Sequence, residues 1–257
     1  TTVTKRIIGA LQSCGMAILL GAPTGRAAKR MTEATGLESR TIHRLLEFKP
    51  PEGYQKNEEN PLEGDVLIID EASMVDIILM NALLKAIPSH MKLILVGDVD
   101  QLPSVGAGNV LRDIMDSGQF PVVRLTHIFR QAQTSRIIMN AHRINEGKFP
   151  NLQNGKTDFF FIEDDDPEHA AGQIVELVRD RLPKFCHCPP TAIQVLTPMQ
   201  KGIVGATNLN IALQNALNPG DVCLYRSGRA FRVNDKVMQI RNNYDKEVFN
   251  GDIGVIE

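Results

Sequence analysis

Two adjacent carboxylates follow an apolar run that ends at residue 69. The stretch VLIIDEASMVD places Asp70 and Glu71 directly after this run. Desolvating an unpaired carboxylate is costly, so a positive group is expected beside the pair. Ligands of α/β proteins bind where the strands of the sheet end. The pattern therefore predicts a metal–nucleotide site in which Asp70 binds the metal and Glu71 accepts a proton from the attacking water.

A purely structural role explains the same letters. In that case the acids lie at an ordinary strand end and cap the helix predicted to follow. Ser73 or Asp76 would then be the N-cap of that helix, because both side chains accept hydrogen bonds from helical N–H groups. The sequence alone leaves both interpretations open.

A second apolar run ends in the segment LILVGDVDQLPSVGAG, residues 93–108. Gln101 lies just beyond the predicted strand, where its amide is able to hydrogen-bond a terminal phosphate or the attacking water. A simple turn built from Gly97, Asp98 and Pro103 is the alternative.

Positive charge occurs in two further segments. Arg130, in LTHIFRQ, follows a fourth predicted strand at a lobe boundary, as expected for an arginine finger that neutralises a transferring phosphoryl group. GAPTGRAAKRM, residues 21–31, passes from a strand through Thr24 and Arg26 into a helix, which suits a phosphate. A surface arginine and a plain turn capped by Thr24 are the alternatives. His43, in TIHRLL, is expected to be structural, because no carboxylate or serine partner is in view.

A polar loop in the second half of the chain has a similar position. Gln200 and Lys201, in TPMQKGIVG, follow a predicted strand and precede a helix, which suits a phosphate contact. A loop in which Gly202 and Gly205 ease the turn explains these residues equally well.

Apolar strands and amphipathic helices alternate along the chain. This alternation predicts parallel sheets covered on both faces, in two α/β lobes with a boundary near 126–134. The predicted strands are 16–22, 65–70, 92–98, 121–125, 158–163, 192–198, 235–240 and 252–257, and the predicted helices include 25–35, 75–87, 108–118 and 167–182.

Composition narrows the class of protein. Of 257 residues, 43% are hydrophobic and 23% are charged, which is typical of a globular protein. There is no apolar run of about 20 residues and no signal-peptide pattern, so we expect no membrane association. Four scattered cysteines indicate reduced thiols and a cytoplasmic location. The net charge of −2 means that any nucleic acid must bind in a local groove.

Five segments in order resemble a known family. APTGRAAKRM, TIHRLL, IIDEASMVD, GDVDQLPSVGAG and FRQ resemble motifs Ia, Ib, II, III and IV of the superfamily 1 DNA helicases. The sequence is most similar to the RecD-like branch, the exodeoxyribonuclease V alpha-subunit family. The segments 195–219 and 231–257 also resemble this family, so the resemblance covers nearly the whole chain.

The resemblance implies an α/β fold of two RecA-like (P-loop NTPase) lobes with parallel sheets. Residues 1–128 would form part of the first lobe, without its P-loop strand. Residues 129–248 would form part of the second lobe, and residues 249–257 would begin an inserted small β-barrel.

The resemblance also assigns roles around ATP. Asp70 would hold Mg²⁺, Glu71 would activate water, Gln101 would couple the γ-phosphate to DNA, and Arg130 would be the arginine finger. The loop G-x-x-x-x-G-K-[ST] does not occur in the chain. Thr1 would be the hydroxyl residue of that motif and a further Mg²⁺ ligand. We therefore expect weak ATP turnover by this chain alone.

The implied function is the motor core of an ATP-dependent DNA helicase that moves 5′ to 3′ on single-stranded DNA. Other subunits of a helicase–nuclease complex are possible partners. A non-hydrolysing DNA-binding or assembly module, and the helicase part of a conjugative relaxase, are the alternatives. The residues that would contact or lie near the DNA are Pro23, Thr24, Arg26, His43, Gln200 and Lys201.

Overall fold

The computed structural model describes residues 2–125, 134–155, 157–221, 224–243, 246 and 248–257. The chain forms two compact units. The first combines residues 1–126 with 239–252, and the second combines 127–238 with 253–257. No helix formed by the described residues is both long and apolar enough to cross a membrane.

A four-stranded parallel sheet organises the first unit, and the fold class predicted from the sequence is confirmed there. Its strands are β1 Ile18–Ala22, β2 Ser39–Thr41, β5 Val66–Ile69 and β6 Lys92–Leu95. They lie in the order β2, β1, β5, β6, and neighbouring strands are hydrogen-bonded. The register pairs Ala22 with Thr41 and Gly21 with Ile69.

Helices cover both faces of this sheet. All four residues of β5 are fully buried, and alternate side chains point to opposite faces. Leu67 and Ile69 pack into one core and Val66 and Ile68 into the other. Burial on both faces explains why this strand is apolar throughout. The helices of the first unit are α1 Thr2–Ser13, α2 Gly25–Thr35, α3 Ile42–Leu45, α4 Ile77–Ala86 and α5 Val110–Asp116.

The capping alternative for the acidic strand is decided by side-chain geometry. After β5 the chain makes a single 3₁₀ turn and then enters α4. Asp76 is the N-cap of α4, because its Oδ1 accepts a hydrogen bond of 2.8 Å from Leu79 N. Ser73 is not the cap: its buried hydroxyl has no hydrogen-bond partner in the described chain. The carboxylates of Asp70 and Glu71 therefore do not cap α4.

The polar segment between β2 and β5 contains a short hairpin, formed by β3 Phe48–Lys49 and β4 Gly53–Tyr54. Phe48 and Tyr54 are direct cross-strand partners in it. Tyr54 also packs against the core beside α4.

The strand predicted at 121–125 is wrong. These residues have no regular structure, and the side chains of Val123 and Leu125 are 89% and 76% exposed. No strand in the described residues lies beside them, and β6 is paired only with β5. A β-branched segment becomes a strand only where a neighbour completes its backbone hydrogen bonds.

The second unit contains helices and short antiparallel strand pairs. Its helices are α6 Arg136–Asn145, α7 Pro167–Glu176, α8 Leu182–Cys186 and α9 Ala206–Leu217, and a π-helical turn at Leu177–Arg181 joins α7 to α8. The strand pairs are β7 Leu224–Arg226 with β8 Arg229–Phe231, and β9 Lys236–Met238 with β10 Ile253–Val255.

Two further strand predictions, at 158–163 and 192–198, are wrong. Neither segment is extended within a sheet, and Phe160 and Leu196 are 49% and 89% exposed. No parallel strand pair occurs in the part of the second unit that the structure describes. The predicted strands at 235–240 and 252–257 are confirmed as β9 and β10, although they pair antiparallel.

Part of the distant segment 239–252 completes the first unit. A β-carbon added to Gly25 would lie 2.5 Å from ring atoms of Phe249, so this ring occupies the space of a side chain at position 25. Arg26 donates a hydrogen bond of 3.4 Å to the carbonyl oxygen of Gly251. The N-terminal turn of α2 is therefore covered by residues more than 200 positions away in sequence.

Candidate active site

The carboxyl ends of the four parallel strands meet at one edge of the first unit. The segment with His43 follows β2, the turn with Thr24 follows β1, Asp70 and Glu71 follow β5, and Gln101 lies beyond β6. This is the edge at which open α/β sheets bind ligands.

A cavity of about 190 Å³ opens at this edge. Five of the residues singled out from the sequence share it, so the fold brings together segments 24–31, 70–74 and 101. A larger depression of about 440 Å³ lies over the C-terminal half of α4, and its lining contains a single carboxylate. The cavity at the strand ends is lined by Thr24, Arg26, Ala27, Arg30, Met31, Asp70, Glu71, Met74 and Gln101.

The turn from β5 fixes both acids. Asp70 N donates a hydrogen bond of 2.9 Å to Gly21 O, which continues the sheet pairing. The Oδ1 atom of Asp70 accepts one of 3.0 Å from Glu71 N. Glu71 has φ 53° and ψ 38°, a left-handed conformation that costs most side chains roughly 1–2 kcal/mol. Strain of this kind at a cavity-lining residue is characteristic of functional sites.

Gly97 sets the distance between β6 and the acidic turn. A β-carbon added there would lie 3.0 Å from Ser73 N and 3.1 Å from Ala72 N, and 2.8 Å from a methyl group of Leu111. Ala72 N donates a hydrogen bond of 2.9 Å to Val96 O, so the two chain segments are tied together at this point. Only glycine allows this approach without displacement of the backbone.

Asp98 positions Gln101. Its Oδ1 accepts a hydrogen bond of 3.0 Å from Asp100 N, and its Oδ2 lies 3.3 Å from Nε2 of Gln101. The exposed Gln101 amide is thus oriented by a turn, which is the element that the alternative interpretation of this segment predicted. Gln101 also lines the cavity.

The N-terminus of α2 supplies the positive side of the cavity. Thr24 is the N-cap, and its Oγ1 accepts a hydrogen bond of 3.2 Å from Ala27 N. Arg30 is a lining residue that sequence reasoning missed. Arg26 and Arg30 are four positions apart, the spacing that puts two side chains on one helix face, and this spacing is the signal that identifies Arg30. Two guanidinium groups therefore accompany the two carboxylates.

His43 does not line the cavity. Its ring lies 5.8 Å from the ring of Phe48 and 5.9 Å from that of Tyr54. Burial lowers the pKa of the His43 imidazole, and the nearby Asp76 carboxylate opposes this shift only in part. Pro23 follows β1 directly and is half-buried.

The remaining predicted residues lie elsewhere. Gln200 and Lys201 are exposed in the second unit, in the loop that leads into α9. This loop turns tightly, since a β-carbon at Gly205 would lie 2.4 Å from Lys201 O. Thr1 and Arg130 lie outside the described residues.

The donor set of the cavity fits a metal that arrives with a phosphate ligand. In the described residues no group of three or more His, Cys, Asp and Glu side chains is placed to hold a metal ion. Mg²⁺ is commonly bound by one or two carboxylates together with substrate phosphates and water. Asp70 supplies such a hard oxygen donor beside the basic residues of α2.

Comparison with known proteins gives two family matches. Residues 1–107 match an AAA domain family, and residues 209–257 match the ATP-dependent RecD-like DNA helicase SH3 domain. The parallel sheet and the cavity at its strand ends thus lie in the part of the chain that matches the AAA domain family, and the match to the helicase SH3 domain covers residues 209–257. The chain belongs to the RecD-like helicase family.

Two curated relatives illustrate this membership. The chain is 38% identical over its whole length to the ATP-dependent RecD2 DNA helicase of Deinococcus radiodurans, of which it covers 34%. It is 30% identical to the RecBCD enzyme subunit RecD of Mycobacterium tuberculosis, with 93% of this chain and 46% of that protein aligned. The chain thus spans less than half the length of these relatives.

A solved structure of Bacteroides Pif1 bound to ssDNA is also similar. The similarity covers 99% of this chain and 62% of the Pif1 chain, with 17% sequence identity and a TM-score of 0.47.

Proposed function

We propose that this chain is part of the motor core of an ATP-dependent DNA helicase that moves on single-stranded DNA. The observation that carries the proposal is the shared cavity: carboxylates after β5, an amide after β6 and two arginines of α2 line one space. The two carboxylates and the amide are the groups that nucleotide hydrolysis requires at the metal, the water and the γ-phosphate. The N-terminus of α2 with its two arginines suits a phosphate of a nucleic acid. Their juxtaposition would couple the two ligands.

At the nucleotide, Asp70 would hold Mg²⁺, with Thr1 as a further ligand. The ion would neutralise charge on the phosphates. Glu71 would accept the proton of the attacking water, and its fixed left-handed turn would keep the carboxylate aimed into the cavity. Gln101 would hydrogen-bond the γ-phosphate or that water, and Arg130 would neutralise the charge that develops during transfer.

Along the DNA, Pro23, Thr24 and Arg26 would contact the phosphate backbone, with His43 close to it. Gln200 and Lys201, which lie in the second unit, would also contact DNA. The protein would alternate between a conformation that binds DNA tightly and one that binds it weakly. Nucleotide would shift this equilibrium only by the difference in its own affinity for the two conformations. Repeated change would give stepwise movement, for which family resemblance suggests 5′ to 3′ polarity.

Partners follow from the same family. Relatives are named as an ATP-dependent RecD2 DNA helicase in Deinococcus radiodurans and as a RecBCD enzyme subunit in Mycobacterium tuberculosis. We propose a cytoplasmic protein that acts on DNA by itself or with other subunits of a helicase–nuclease complex.

The test is ATP hydrolysis with and without single-stranded DNA. It should be measured for the 257-residue chain and for a longer protein that carries this sequence together with a phosphate-binding loop. We expect DNA to stimulate turnover by the longer protein and little turnover by the chain alone. Glu71→Gln in the longer protein should abolish turnover while nucleotide still binds.

Other outcomes would contradict the proposal. A longer protein that binds DNA but never hydrolyses ATP would favour a non-hydrolysing assembly module. Nicking of DNA by that protein would favour the helicase part of a conjugative relaxase. Undiminished turnover in Glu71→Gln would remove Glu71 from the base role.

A further inference from the structure

Three aromatic rings form a cluster that does not belong to the cavity lining. The ring centroids of Phe48 and Tyr54 are 4.9 Å apart, and the ring of His43 lies within 6 Å of both. Phe48 and Tyr54 come from the two strands of the hairpin, and His43 comes from α3. We refer to these three residues as the aromatic cluster.

One side of the aromatic cluster packs against the core, and the other side is exposed to solvent. Tyr54 is half-buried and packs against the core beside α4, and burial raises the pKa of its hydroxyl. Phe48, in contrast, keeps 44% of its surface exposed. Rings that serve only to hold the hairpin would gain more by full burial. A firm base with an exposed ring is the form of a stacking surface.

The position of the cluster relates it to the proposed DNA path. Thr41, the last residue of β2, pairs in register with Ala22, the last residue of β1. The segments that follow these two strands therefore leave the sheet side by side, at the strand spacing of about 4.8 Å. One segment is the Thr24–Arg26 turn, and the other is α3 with His43.

We propose that the aromatic cluster stacks an unpaired nucleobase of the single-stranded DNA whose backbone lies along the Thr24–Arg26 turn. This inference rests on the proposed function, and it adds a contact to the base where the family resemblance implies contacts to phosphate. Every base has a π face, so stacking of this kind tolerates any sequence. A motor that moves along DNA requires that tolerance.

The charge state of the cluster is consistent with stacking. Burial lowers the pKa of His43, so its imidazole is neutral at pH 7 and offers a ring face without a fixed positive charge. Asp76 is the acidic group that acts on both His43 and Tyr54. The Oδ1 atom of this carboxylate also accepts the capping hydrogen bond of α4 from Leu79 N.

The experiment compares binding of the 257-residue chain to single-stranded oligonucleotides that contain 2-aminopurine, and to the same oligonucleotides with abasic sites. In the wild-type chain, stacking should quench the fluorescence of 2-aminopurine. Phe48→Ala should weaken binding of the oligonucleotide that contains 2-aminopurine by roughly 5- to 150-fold and should remove this quenching. Phe48→Trp should restore both signals. On abasic DNA the difference between wild type and Phe48→Ala should disappear.

Two controls separate stacking from folding. Phe48→Leu keeps an apolar cross-strand partner for Tyr54, so it should keep the hairpin but lose the quenching. Phe185→Ala removes another exposed ring, 64% exposed in the second unit, and should leave binding unchanged. Thermal unfolding of each variant shows whether it remains folded.

The possible outcomes are distinct. Equal binding by Phe48→Ala and wild type, or an equal loss on abasic DNA, would overturn the stacking inference and leave the proposed function standing. A wild-type chain that binds no single-stranded DNA at moderate salt would contradict both. Intact quenching in Phe48→Leu would assign the contact to another ring.

Discussion

The backbone of Gly97 lies so close to Ala72 that a β-carbon on the glycine would come within 3.1 Å of the Ala72 nitrogen. This approach joins the strand end that carries Gln101 to the turn that carries Glu71. The relative position of two proposed catalytic side chains therefore depends on the absence of a side chain at a third residue.

Gly97→Ala should destabilise the first unit by about 1–3 kcal/mol, because backbone atoms and Leu111 have to move. Urea unfolding measures the change. Gly172→Ala is the matched control: nothing lies within 4 Å of the added carbon, and the helix should gain about 0.5–1 kcal/mol. An unchanged midpoint for Gly97→Ala would show that the contact at Ala72 relaxes freely.

Glu71→Gly should separate stability from function. Glycine adopts a φ of 53° without the steric cost that glutamate bears, so the free energy of unfolding should stay the same or rise by about 1 kcal/mol. ATP turnover by a longer protein with the substitution should be lost. Glu176→Gly is the control. Glu176 has helical φ and ψ, so glycine there should lower the free energy of unfolding by about 0.5–1 kcal/mol. A destabilised Glu71→Gly would mean that the glutamate side chain makes a contact that outweighs the backbone strain.

Arg30→Ala should weaken binding of single-stranded DNA several-fold and reduce the slope of log affinity against log salt by about one. The reason is that Arg30 lines the cavity beside the proposed phosphate path. Lys29→Ala is the control, since Lys29 is exposed on the same helix and does not line the cavity. Equal losses in the two variants would indicate a general electrostatic effect.

Stability should depend on pH through His43. Burial holds its folded-state pKa below the ordinary value near 6.5, so the unfolded chain binds the proton more tightly. The stabilisation is complete above about pH 6.5 and is lost as the pH falls through the lower folded-state pKa. Urea midpoints between pH 8 and pH 5 measure this, and the decline should be shallower in His43→Phe. Parallel curves for the two proteins would contradict it.

The sequence predicted the first unit better than the second, for a physical reason. Residues 66–69 are buried on both faces, so their uninterrupted apolar sequence is enough to predict a central strand of a parallel sheet. The segments 121–125 and 158–163 also contain apolar runs, but a strand requires a neighbouring strand as well, and the local sequence pattern does not supply one. Thr24 and Asp76 were recognisable as caps because a cap is a local interaction.

The cavity was predictable in part. Asp70, Glu71 and Gln101 each follow an apolar strand, and parallel strands bring their ends together. Identifying Arg30 as a lining residue requires the helical spacing from Arg26 to be recognised. The location of His43 could not be predicted, because it depends on packing against Phe48 and Tyr54 of the hairpin. The contact of Phe249 with Gly25 joins distant residues, which no local pattern indicates.

That distant contact also has a consequence in time. Arg26 and Gly251, which are hydrogen-bonded, are separated by 225 positions. At a synthesis rate of about 5–20 residues per second, the start of α2 leaves the ribosome roughly 10–45 s before the residues that cover it. Once residues up to 95 have also emerged, the nascent first unit has its sheet and α2, but residue 249 does not yet cover Gly25. If the ribosome pauses before residue 249, the N-terminal turn of α2 stays accessible, and chaperones or nucleic acid are able to bind there.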